Sequence, residues 1–403
     1  MPSILFINRV YPPDSGASGR VLEHIARGFA TAGWDVTILC TAGSREIKGD
    51  EMNNGIRIVR IGSAFSKKNL VSRILGYALM IPLLLLKALQ LPRHDIVVTK
   101  TDPPMLMILG PVLKFLKGVK TIHWAQDLYP DVAEEVGVLQ KGGILSKGLR
   151  FLSIISLRSH DAIISVGRCM TGRLEDRGIS STKICMIPNI GIEKSITPNP
   201  RFPNAFRDRH GLGDAFVIMY SGNMGRAHEF STILEAALLL QRSGETGILF
   251  LFVGDGPSKP RLQNEVLRLG LKNVRFLASE AEKTLSESLA AADLHLVSMK
   301  YGMEGAVVPS KFYGVLAAGR PCLFIGSEDS EVARVILELG VGTVIPVGDA
   351  YSLNKVILKY HALIGLNEYA GASGRSYLEK YDSPADFIRC AHQLCRTESI
   401  FLP

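Results

Sequence analysis

The sequence lacks the short motifs that mark most metal, nucleotide-hydrolysing and nucleophilic active sites. Its 403 residues contain no CxxC, no HExxH and no DxD, so a metal site built on any of these motifs is not indicated. It also lacks a Walker A loop and a GxSxG elbow, which argues against P-loop and α/β-hydrolase chemistry. We therefore expect no cofactor and no metal.

Cysteines are few and dispersed. The six cysteines lie in apolar, strand-like or helical contexts, so we interpret them as reduced core residues of a cytoplasmic chain. The first residues run straight into a strand pattern, and no signal peptide is predicted. The basic stretches also lack interleaved aromatic residues, which makes a nucleic-acid partner a poor interpretation.

Acidic residues are missing from two stretches of the first half, residues 52–94 and 136–160. Residues 1–195 contain 25 basic and 16 acidic side chains, a difference of +9, whereas residues 196–403 contain 21 and 22, a difference of −1. Seven basic residues and no acid lie between Glu51 and Asp95, Lys67, Lys68 and Arg73 among them. Such a basic excess favours nucleic acid, anionic lipid or phosphorylated ligands.

The same region contains the longest apolar run, ILGYALMIPLLLLKALQL at residues 74–91. Eighteen such residues could span a bilayer, but Pro82 and Lys87 weaken that interpretation. A helix buried against a sheet is a second alternative. We favour the third, in which residues 70–93 contact an anionic membrane surface, because basic side chains flank the run.

Strand and helix patterns alternate along the chain, which predicts an α/β fold with parallel sheets covered on both faces. The pattern restarts after the proline-rich stretch 197–203, so we expect two doubly wound domains that bind ligands beyond the carboxyl ends of their strands. The predicted strands are Ser3–Asn8, Asp35–Cys40, Ile56–Ile61, Asp95–Lys100, Lys120–Ala125, Asp161–Val166, Lys183–Ile187, Phe216–Tyr220, Ile248–Val253, Val274–Leu277, Asp293–Val297, Cys322–Ile325 and Gly342–Ile345.

Three loops rich in small residues open helices and are candidate anion sites. The first contains Gly16 and Gly19, and a plain strand-to-helix turn is an equally good interpretation of it. The second runs from Ser221 to His228, where Arg226 and His228 are candidate cationic partners of a phosphate. Arg226 could equally be a solvated surface residue, and His228 an ordinary residue at a helix start. In the third, EGAVVPSKFYG, Glu304 precedes Ser310 and Lys311 at a helix start, and its carboxylate could accept hydrogen bonds from sugar hydroxyls. The alternative for this loop is a capped helix with a surface lysine.

A fourth candidate is HWAQDLYP, in which a polar group follows a buried strand. Asp127 could be a base or a hydroxyl acceptor, or it could merely cap the following turn. His123 lies within the strand pattern, and we interpret it as a core residue.

In order along the chain, these segments resemble the GT-B glycosyltransferases of family 4, with HWAQDLYPD, YSGNMGRAHE, FLFVGDGP, VRFLASEAE and EGAVVPSKFYGVLAAGRP the clearest matches. The SGNMG–AH and PSKFYG segments resemble the O-antigen and capsule enzymes that transfer N-acetyl-L-fucosamine. The resemblance implies two Rossmann-like domains facing a cleft. One comprises residues 1–195 plus a returning helix within 383–403 and faces the acceptor. The other, residues 196–382, binds the nucleotide sugar.

The resemblance also implies the donor site. It assigns catalytic roles to Glu304, Asp127, Lys311 and His228. It implies contacts with the nucleotide sugar or acceptor from Gly16, Gly19, Gly222, Asn223, Gly225, Arg226, Gly254, Asp255, Phe276, Leu277, Gly305, Ala306, Val307, Val308 and Ser310.

This chain departs from the family pattern at several positions. Asn223 and His228 replace an Arg and a Lys, so we expect Arg226 and Lys311 to meet the diphosphate charge. Gly314 replaces a glutamate that contacts the ribose, with Glu331 a weak substitute. Gln126 replaces a histidine.

The resemblance implies a retaining, metal-independent transfer from a UDP-sugar. The basic, apolar first half favours a saccharide on polyprenyl diphosphate as acceptor, at the cytoplasmic face of the membrane in O-antigen or other lipopolysaccharide synthesis. A sugar-nucleotide epimerase and an inactive nucleotide-sugar-binding scaffold are the alternatives.

Overall fold

The computed structural model describes the backbone of residues 1–14, 16–42, 49–62, 70–363, 369–381 and 383–396. It describes the side chains of these residues except 17, 70–75, 192, 194 and 369–372. Lys67, Lys68 and residues 397–403 of the predicted returning segment lie outside the described residues, as does the side chain of Arg73.

The chain forms two compact units. Unit 1 comprises Met1–Ile192, Gly305–Val307 and Tyr381–Pro403, and unit 2 comprises Glu193–Glu304 and Val308–Lys380. The sequence-based division placed residues 305–307 in the second domain. The structure groups them with unit 1 because they pair with the segment that follows one of its strands, as described below.

The sheet of unit 1 has the strand order β3-β4-β2-β1-β5-β6-β7-β8, and all neighbours are parallel except β3 and β4. The antiparallel edge strand β3 was not predicted. The strands are β1 Ser3–Ile7, β2 Asp35–Thr41, β3 Gly49–Asn53, β4 Ile56–Ile61, β5 Ile96–Thr99, β6 Lys120–Ala125, β7 Ala162–Ser165 and β8 Ile184–Met186.

Helices cover this sheet. They are α1 Ala17–Thr31, α2 Leu70–Gln90, α3 Leu109–Lys117, α4 Asp131–Glu135, α5 Ile144–Ser159 and α6 Arg168–Asp176, and the later helix α15, Ser383–Arg396, also belongs to this unit.

The apolar run in α2 has two faces. Met80, Leu84 and Ala88 are buried in a core shared with β1 and α3, whereas Leu79 and Leu86 are more than half exposed. The helix is therefore neither entirely core nor entirely exposed. Among the residues described, none of the helices is both long and apolar enough to cross a membrane.

Unit 2 contains a parallel sheet with the order β11-β10-β9-β12-β13-β14. Its strands are β9 Phe216–Ser221, β10 Ile248–Val253, β11 Val274–Leu277, β12 Leu294–Ser298, β13 Cys322–Ile325 and β14 Gly342–Ile345. Its helices are α7 Ala205–Arg209, α8 Ser231–Arg242, α9 Lys259–Leu269, α10 Leu285–Ala290, α11 Lys311–Ala317, α12 Glu331–Leu339, α13 Ala350–Ala362 and α14 Tyr369–Glu379.

Alternate residues of β9 and β10 point to opposite faces of this sheet, and both faces are buried. Phe216, Ile218 and Tyr220 face a core formed with α8, α9 and α13, whereas Val217 and Met219 face α7 and its neighbours. Burial on both faces is the reason why these strands read as continuous apolar runs.

Candidate functional site

The glycine loop of unit 2 lies at the point where strand order reverses. Strands β10 and β11 extend from one side of β9, and β12 to β14 extend from the other. The loop that follows β9 contacts the end of β12, where the Lys300 amide donates to the Ala227 carbonyl at 3.0 Å. Ligands of open parallel sheets bind at such a switch point, beyond the carboxyl ends of the strands.

Lys311, at the start of α11, reaches this loop. Its Nζ donates to the Tyr220 hydroxyl and to the Asn223 carbonyl at 3.1 Å, and lies 3.6 Å from the centre of the Tyr220 ring. Burial lowers the pKa of Lys311 well below its ordinary value. Among the described residues, no carboxylate forms an ion pair with Lys311. An anionic ligand bound here would favour the charged form of Lys311, because it would supply the opposite charge that the described residues do not.

The surroundings of His228 disfavour its cationic form, and its part as a cationic partner of a phosphate stays a prediction. Its ring Nδ1 lies 2.7 Å from the Ser298 carbonyl oxygen. Because a carbonyl oxygen only accepts, Nδ1 must have the proton that forms this hydrogen bond. Burial, reinforced by the charge of Lys311, lowers the pKa of His228 to about 3. With Nδ1 as the donor, Nε2 is an acceptor beside Gly225, whose added Cβ would lie 3.7 Å away.

Two glycines of the loop after β10 are required by its close contact with the glycine loop after β9. Gly254 has a φ of +140°, and a Cβ there would lie 2.2 Å from the Gly222 carbonyl oxygen. A Cβ on Gly256 would lie 2.6 Å from Asn223 Oδ1. The loops after β9 and β10 are thus pressed together. Asn223 and Arg226 stay exposed on the outside of the loop.

The residues predicted to contact the nucleotide base come together at the ends of β10 and β11. Lys259, which the sequence analysis did not single out, donates to the carbonyls of Gly254 at 2.7 Å and Leu277 at 3.1 Å. The Phe276 ring stacks on Phe252 with 5.1 Å between centroids. Asp255 is exposed, and its side chain accepts a bond from the Gly256 amide.

Of the two carboxylate oxygens of Glu304, only one has a hydrogen-bond partner among the described residues. Its Oε2 accepts a bond from the Gly302 amide at 2.9 Å, whereas its buried Oε1 has no partner among the described residues. Buried polar atoms are nearly always hydrogen-bonded in native proteins, so an unpaired carboxylate oxygen fits a ligand that donates. Sugar hydroxyls are such donors.

The segment after Glu304 divides between the units. Gly305, Ala306 and Val307 belong to unit 1, and Val308 and Ser310 lead into α11 of unit 2. Gly305 has a φ of +70°, and a Cβ there would lie 2.4 Å from the Cys169 carbonyl oxygen.

Glu331 is buried at the start of α12, following β13 at the same edge of the sheet as the glycine loop.

In unit 1, Gly16 and Gly19 allow close packing at the start of α1. A Cβ on Gly16 would lie 2.9 Å from Val10 Cγ1, and one on Gly19 would lie 3.1 Å from the Val10 carbonyl oxygen. This contact accounts for both glycines without a ligand. Their part in binding an anion stays a prediction.

A polar cluster occupies the switch point of the unit 1 sheet, between β1 and β5. Arg9, which follows β1, forms a bidentate salt bridge with Asp102, at 2.7 and 2.8 Å. Lys100, which follows β5, is fully buried and donates to the Ser18 carbonyl at 2.8 Å. Asp127 follows β6 and lies partly exposed in the same cluster.

The Asp127 backbone is fixed on both sides. Asp127 forms an antiparallel bridge with Val307, and the Leu128 amide donates to the Ala306 carbonyl at 2.8 Å. Burial and the charge of Asp102 raise the pKa of Asp127 to about 6, and Lys100 opposes that shift. Asp127 is thus placed as a carboxylate near neutral pH. No sequence motif identifies Lys100 as a site residue, because a single lysine at a strand end has no distinctive spacing.

Within the described part of the chain, no group of three or more His, Cys, Asp or Glu side chains could hold a metal ion.

Two protein-family models match the chain in succession. Residues 16–190 match the glycosyl transferase 4-like domain, and residues 204–376 match the glycosyl transferases group 1 domain. Among curated proteins, the probable glycosyltransferase WbjE of Pseudomonas aeruginosa is 29% identical over 312 residues, 76% of this chain and 77% of that protein. The putative colanic acid biosynthesis glycosyl transferase WcaI of Escherichia coli K12 is 27% identical over 228 residues, 56% of this chain and 55% of that protein.

Solved structures share the fold across nearly the whole chain. Sucrose-phosphate synthase from Thermosynechococcus elongatus aligns with a TM-score of 0.80 at 16% identity, over 99% of this chain and 100% of that one. HepE from Anabaena, solved with UDP and glucose, aligns at 0.70 and 13%, over 100% of both chains. WaaG, a glycosyltransferase involved in lipopolysaccharide biosynthesis, aligns at 0.67 and 18%, over 96% of this chain and 98% of that one.

The two domain matches together cover most of the chain, and each falls on one of the two doubly wound sheets. With this domain order and this fold, the chain is a group 1 glycosyltransferase of the GT-B class.

Proposed function

We propose that this protein transfers an N-acetylated amino sugar or deoxy sugar from a UDP-sugar to a saccharide on polyprenyl diphosphate, with retention at the anomeric carbon. The observation that carries the donor assignment is the partly buried amino group of Lys311, which has only neutral partners among the described residues. A cation without a counterion at a switch point is suited to the diphosphate of a nucleotide sugar.

The donor's parts match the groups around Lys311. The diphosphate would lie against the glycine loop, where backbone approaches closely and Lys311 and the exposed Arg226 supply positive charge. The base would lie near Phe276 and the paired turns that Lys259 holds. The unpaired oxygen of Glu304 would accept a hydroxyl of the sugar. HepE, which shares the fold, is described in complex with UDP-glucose.

In the proposed reaction, the bond from the anomeric carbon to the donor diphosphate breaks, and the acceptor oxygen bonds to that carbon. Lys311 stabilises the negative charge that develops on the diphosphate, which is where electrostatic catalysis acts most strongly. Asp127 accepts a hydrogen bond from the acceptor hydroxyl and orients it, and the hydroxyl proton passes to the departing diphosphate as the new bond forms. Retention is what the likeness to family 4 implies.

The acceptor assignment rests on helix α5, whose apolar face points outward. Ser146, Ser153 and Ser156 are buried, whereas the exposed side chains are Ile144, Leu145, Phe151, Leu152 and Ile155, each at least 46% exposed. A water-facing surface of this kind marks an interaction site.

The exposed apolar surface continues on neighbouring helices. Helix α3 packs against both α2 and α5, and exposes Phe115 and Leu116 at its end. Lys147 and Arg158 are exposed on α5. Apolar side chains bordered by basic ones fit the interface of an anionic membrane, where a lipid-linked acceptor resides. We therefore place the enzyme on the cytoplasmic face of the membrane.

The names of related proteins agree with a role in surface polysaccharide synthesis. WcaI is described as a colanic acid biosynthesis glycosyl transferase, and WaaG acts in lipopolysaccharide biosynthesis. We extend that role to this chain as part of the proposal.

A donor-turnover screen tests the reaction. The purified protein is mixed with UDP-, GDP- and dTDP-sugars, with and without membrane lipid extract, and free nucleotide and lipid-linked product are measured. We expect nucleotide release from one UDP-sugar, dependent on the lipid extract. UDP binding without release would contradict transfer and favour the scaffold, and a changed sugar on the nucleotide would favour the epimerase.

Vesicle sedimentation tests the membrane surface separately. The double variant Phe151→Ser/Ile155→Ser removes two exposed apolar side chains, so we expect its partition onto anionic vesicles to fall at least about tenfold. Leu267→Ser is the matched control, because Leu267 is 78% exposed on α9 of unit 2. Equal binding by the double variant and the wild type would contradict membrane docking through α5.

A further inference from the structure

Two thiols meet where the last described helix crosses the edge of the unit 1 sheet. Cys185 lies in β8, the strand at the end of the sheet order, and Cys390 lies in α15. The two residues are 205 positions apart in the chain, yet their Sγ atoms are 2.9 Å apart. All six cysteines are free thiols in the structure, and the sites described above use neither member of this pair.

The strand register places Cys185 on the face of the sheet that α15 covers. Trp124 of β6 pairs with Ile164 of β7, which in turn pairs with Cys185 of β8. Residues that pair on neighbouring strands point to the same face of a sheet. The Trp124 ring packs edge-on against Phe387 of α15, with 5.1 Å between centroids. The side chain of Cys185 therefore faces that helix as well.

Helix α15 turns Cys390 towards the sheet. Ser383, Phe387 and Cys390 are all buried, and their spacing places them on one face of the helix. The Ser383 hydroxyl donates to the carbonyl of Pro188, which follows β8, at 3.0 Å. The Phe387 ring packs in the aromatic core of the unit. Two contacts that involve no sulfur thus hold Cys390 against the edge strand.

The two thiols differ in a way that suits oxidation. Cys185 is partly exposed, whereas Cys390 is 5% exposed. The hydrogen bond with Cys390 lowers the pKa of the Cys185 thiol, and the same contact together with burial raises the pKa of Cys390. Cysteines that oxidise readily combine solvent access, thiolate character and a neighbouring thiol. Cys40 and Cys322, in contrast, are fully buried, and burial raises the pKa of both.

We propose that Cys185 and Cys390 are a modification site, a thiol pair that peroxide converts into a reversible disulfide joining α15 to the edge of the unit 1 sheet. A disulfide bond is about 2.05 Å long, so the two sulfur atoms need to approach by less than about 1 Å. The inference concerns the chain itself and does not depend on the proposed function.

Hydrogen peroxide is the oxidant in the proposed reaction. The Cys185 thiolate attacks one peroxide oxygen and the O–O bond breaks, which leaves a sulfenic acid on Cys185. The released hydroxide takes up the proton that Cys185 lost and becomes water. The Cys390 sulfur then attacks the sulfenic sulfur, the S–O bond breaks, and a second water leaves with the Cys390 proton. Two thiols and one peroxide thus give one disulfide and two waters, and a dithiol such as dithiothreitol reverses the change.

Peptide mapping of the whole folded protein tests the proposal. The reduced protein is treated briefly with hydrogen peroxide, the remaining thiols are blocked with N-ethylmaleimide, and the protein is digested with trypsin without reduction. We expect peptide 184–194 joined to peptide 390–396, two hydrogen atoms lighter than the sum of both. Dithiothreitol added before the blocking step should remove the link.

Cys395→Ser is the matched control, because Cys395 lies on the same helix and in the same tryptic peptide as Cys390. The link should persist in Cys395→Ser and be absent from Cys390→Ser. A link from Cys185 to Cys395 would overturn the proposal, as would a Cys185 that peroxide leaves open to N-ethylmaleimide or converts to a sulfinic acid. The wild-type map decides between these outcomes even if a variant does not fold.

Thermal unfolding measures the effect of the link on α15. A bond between residues 205 positions apart removes chain entropy from the unfolded state, so the oxidised wild type should melt at least about 5 °C above the reduced protein. Peroxide should not raise the melting temperature of Cys390→Ser. Equal melting temperatures for the linked and the reduced wild type would refute the claim that the disulfide holds α15 on the sheet.

Discussion

Replacement of Lys311 by methionine should weaken nucleotide binding without unfolding the protein. Methionine keeps nearly the length of the lysine side chain and removes the amino group that lies over the Tyr220 ring. A hydrogen bond to a charged group contributes about 1.5–3 kcal/mol. The dissociation constant of UDP should therefore rise about 10- to 150-fold.

The same substitution should not lower the stability of the folded protein, although it weakens nucleotide binding. Burial lowers the pKa of Lys311 in the folded chain, so the unfolded chain binds more protons between that lowered pKa and about 10.5. Stability contributed by this group therefore rises with pH across that window. In Lys311→Met, this contribution to the rise of stability with pH is absent. Near pH 7 the variant should therefore be at least as stable as the wild type.

Calorimetric titration with UDP and urea unfolding at several pH values measure both effects. Lys272→Met is the control, because Lys272 is exposed in the same unit and should change stability by no more than about 0.5 kcal/mol. UDP affinity within threefold of wild type in Lys311→Met would refute the assignment of Lys311 to the diphosphate.

Three further substitutions have defined outcomes. His228→Asn keeps a neutral donor at the position of Nδ1, towards the Ser298 carbonyl, so UDP affinity should change less than about threefold. A loss on the scale of Lys311→Met would mean that His228 becomes charged when nucleotide binds. Gly254→Ala forces a Cβ against the neighbouring loop, so UDP binding should be lost and the melting temperature lowered. Wild-type UDP affinity in this variant would contradict the close contact. Phe387→Ala should cost about 3–5 kcal/mol of unfolding free energy in urea, because Phe387 is fully buried, and a cost below about 1 kcal/mol would show that α15 contributes little.

Most strands were predictable because burial on both faces leaves a plain apolar run between turn residues. Ile56–Ile61, Lys120–Ala125 and Ile248–Val253 begin and end where the sequence indicated. Strand β3, Gly49–Asn53, was missed because all five of its residues are exposed and the segment shows no alternation of apolar and polar residues. The Asn54–Gly55 pair that follows is a typical hairpin signal and could have revealed it.

The parts of the site whose residues have a characteristic spacing in the sequence were predictable. The parts whose chemistry depends on the burial of a side chain were not. The glycine loop and Lys311 follow from their places before helices. The lowered pKa of His228 and the burial of Lys100 depend on tertiary packing, which a single sequence does not contain. The outward apolar face of α5 was hidden because its buried side holds serines, the reverse of the usual helix pattern.

Helix α15 has a consequence for synthesis of the chain on the ribosome. Phe387 packs edge-on against Phe6, Phe29 and Trp124, so the core of unit 1 includes a ring from near the end of the chain. Nearly all of unit 2 is translated before α15 emerges. The first unit to be translated is thus the last to complete its core, and a nascent chain stalled before Ser383 would display an unfilled aromatic cluster to chaperones.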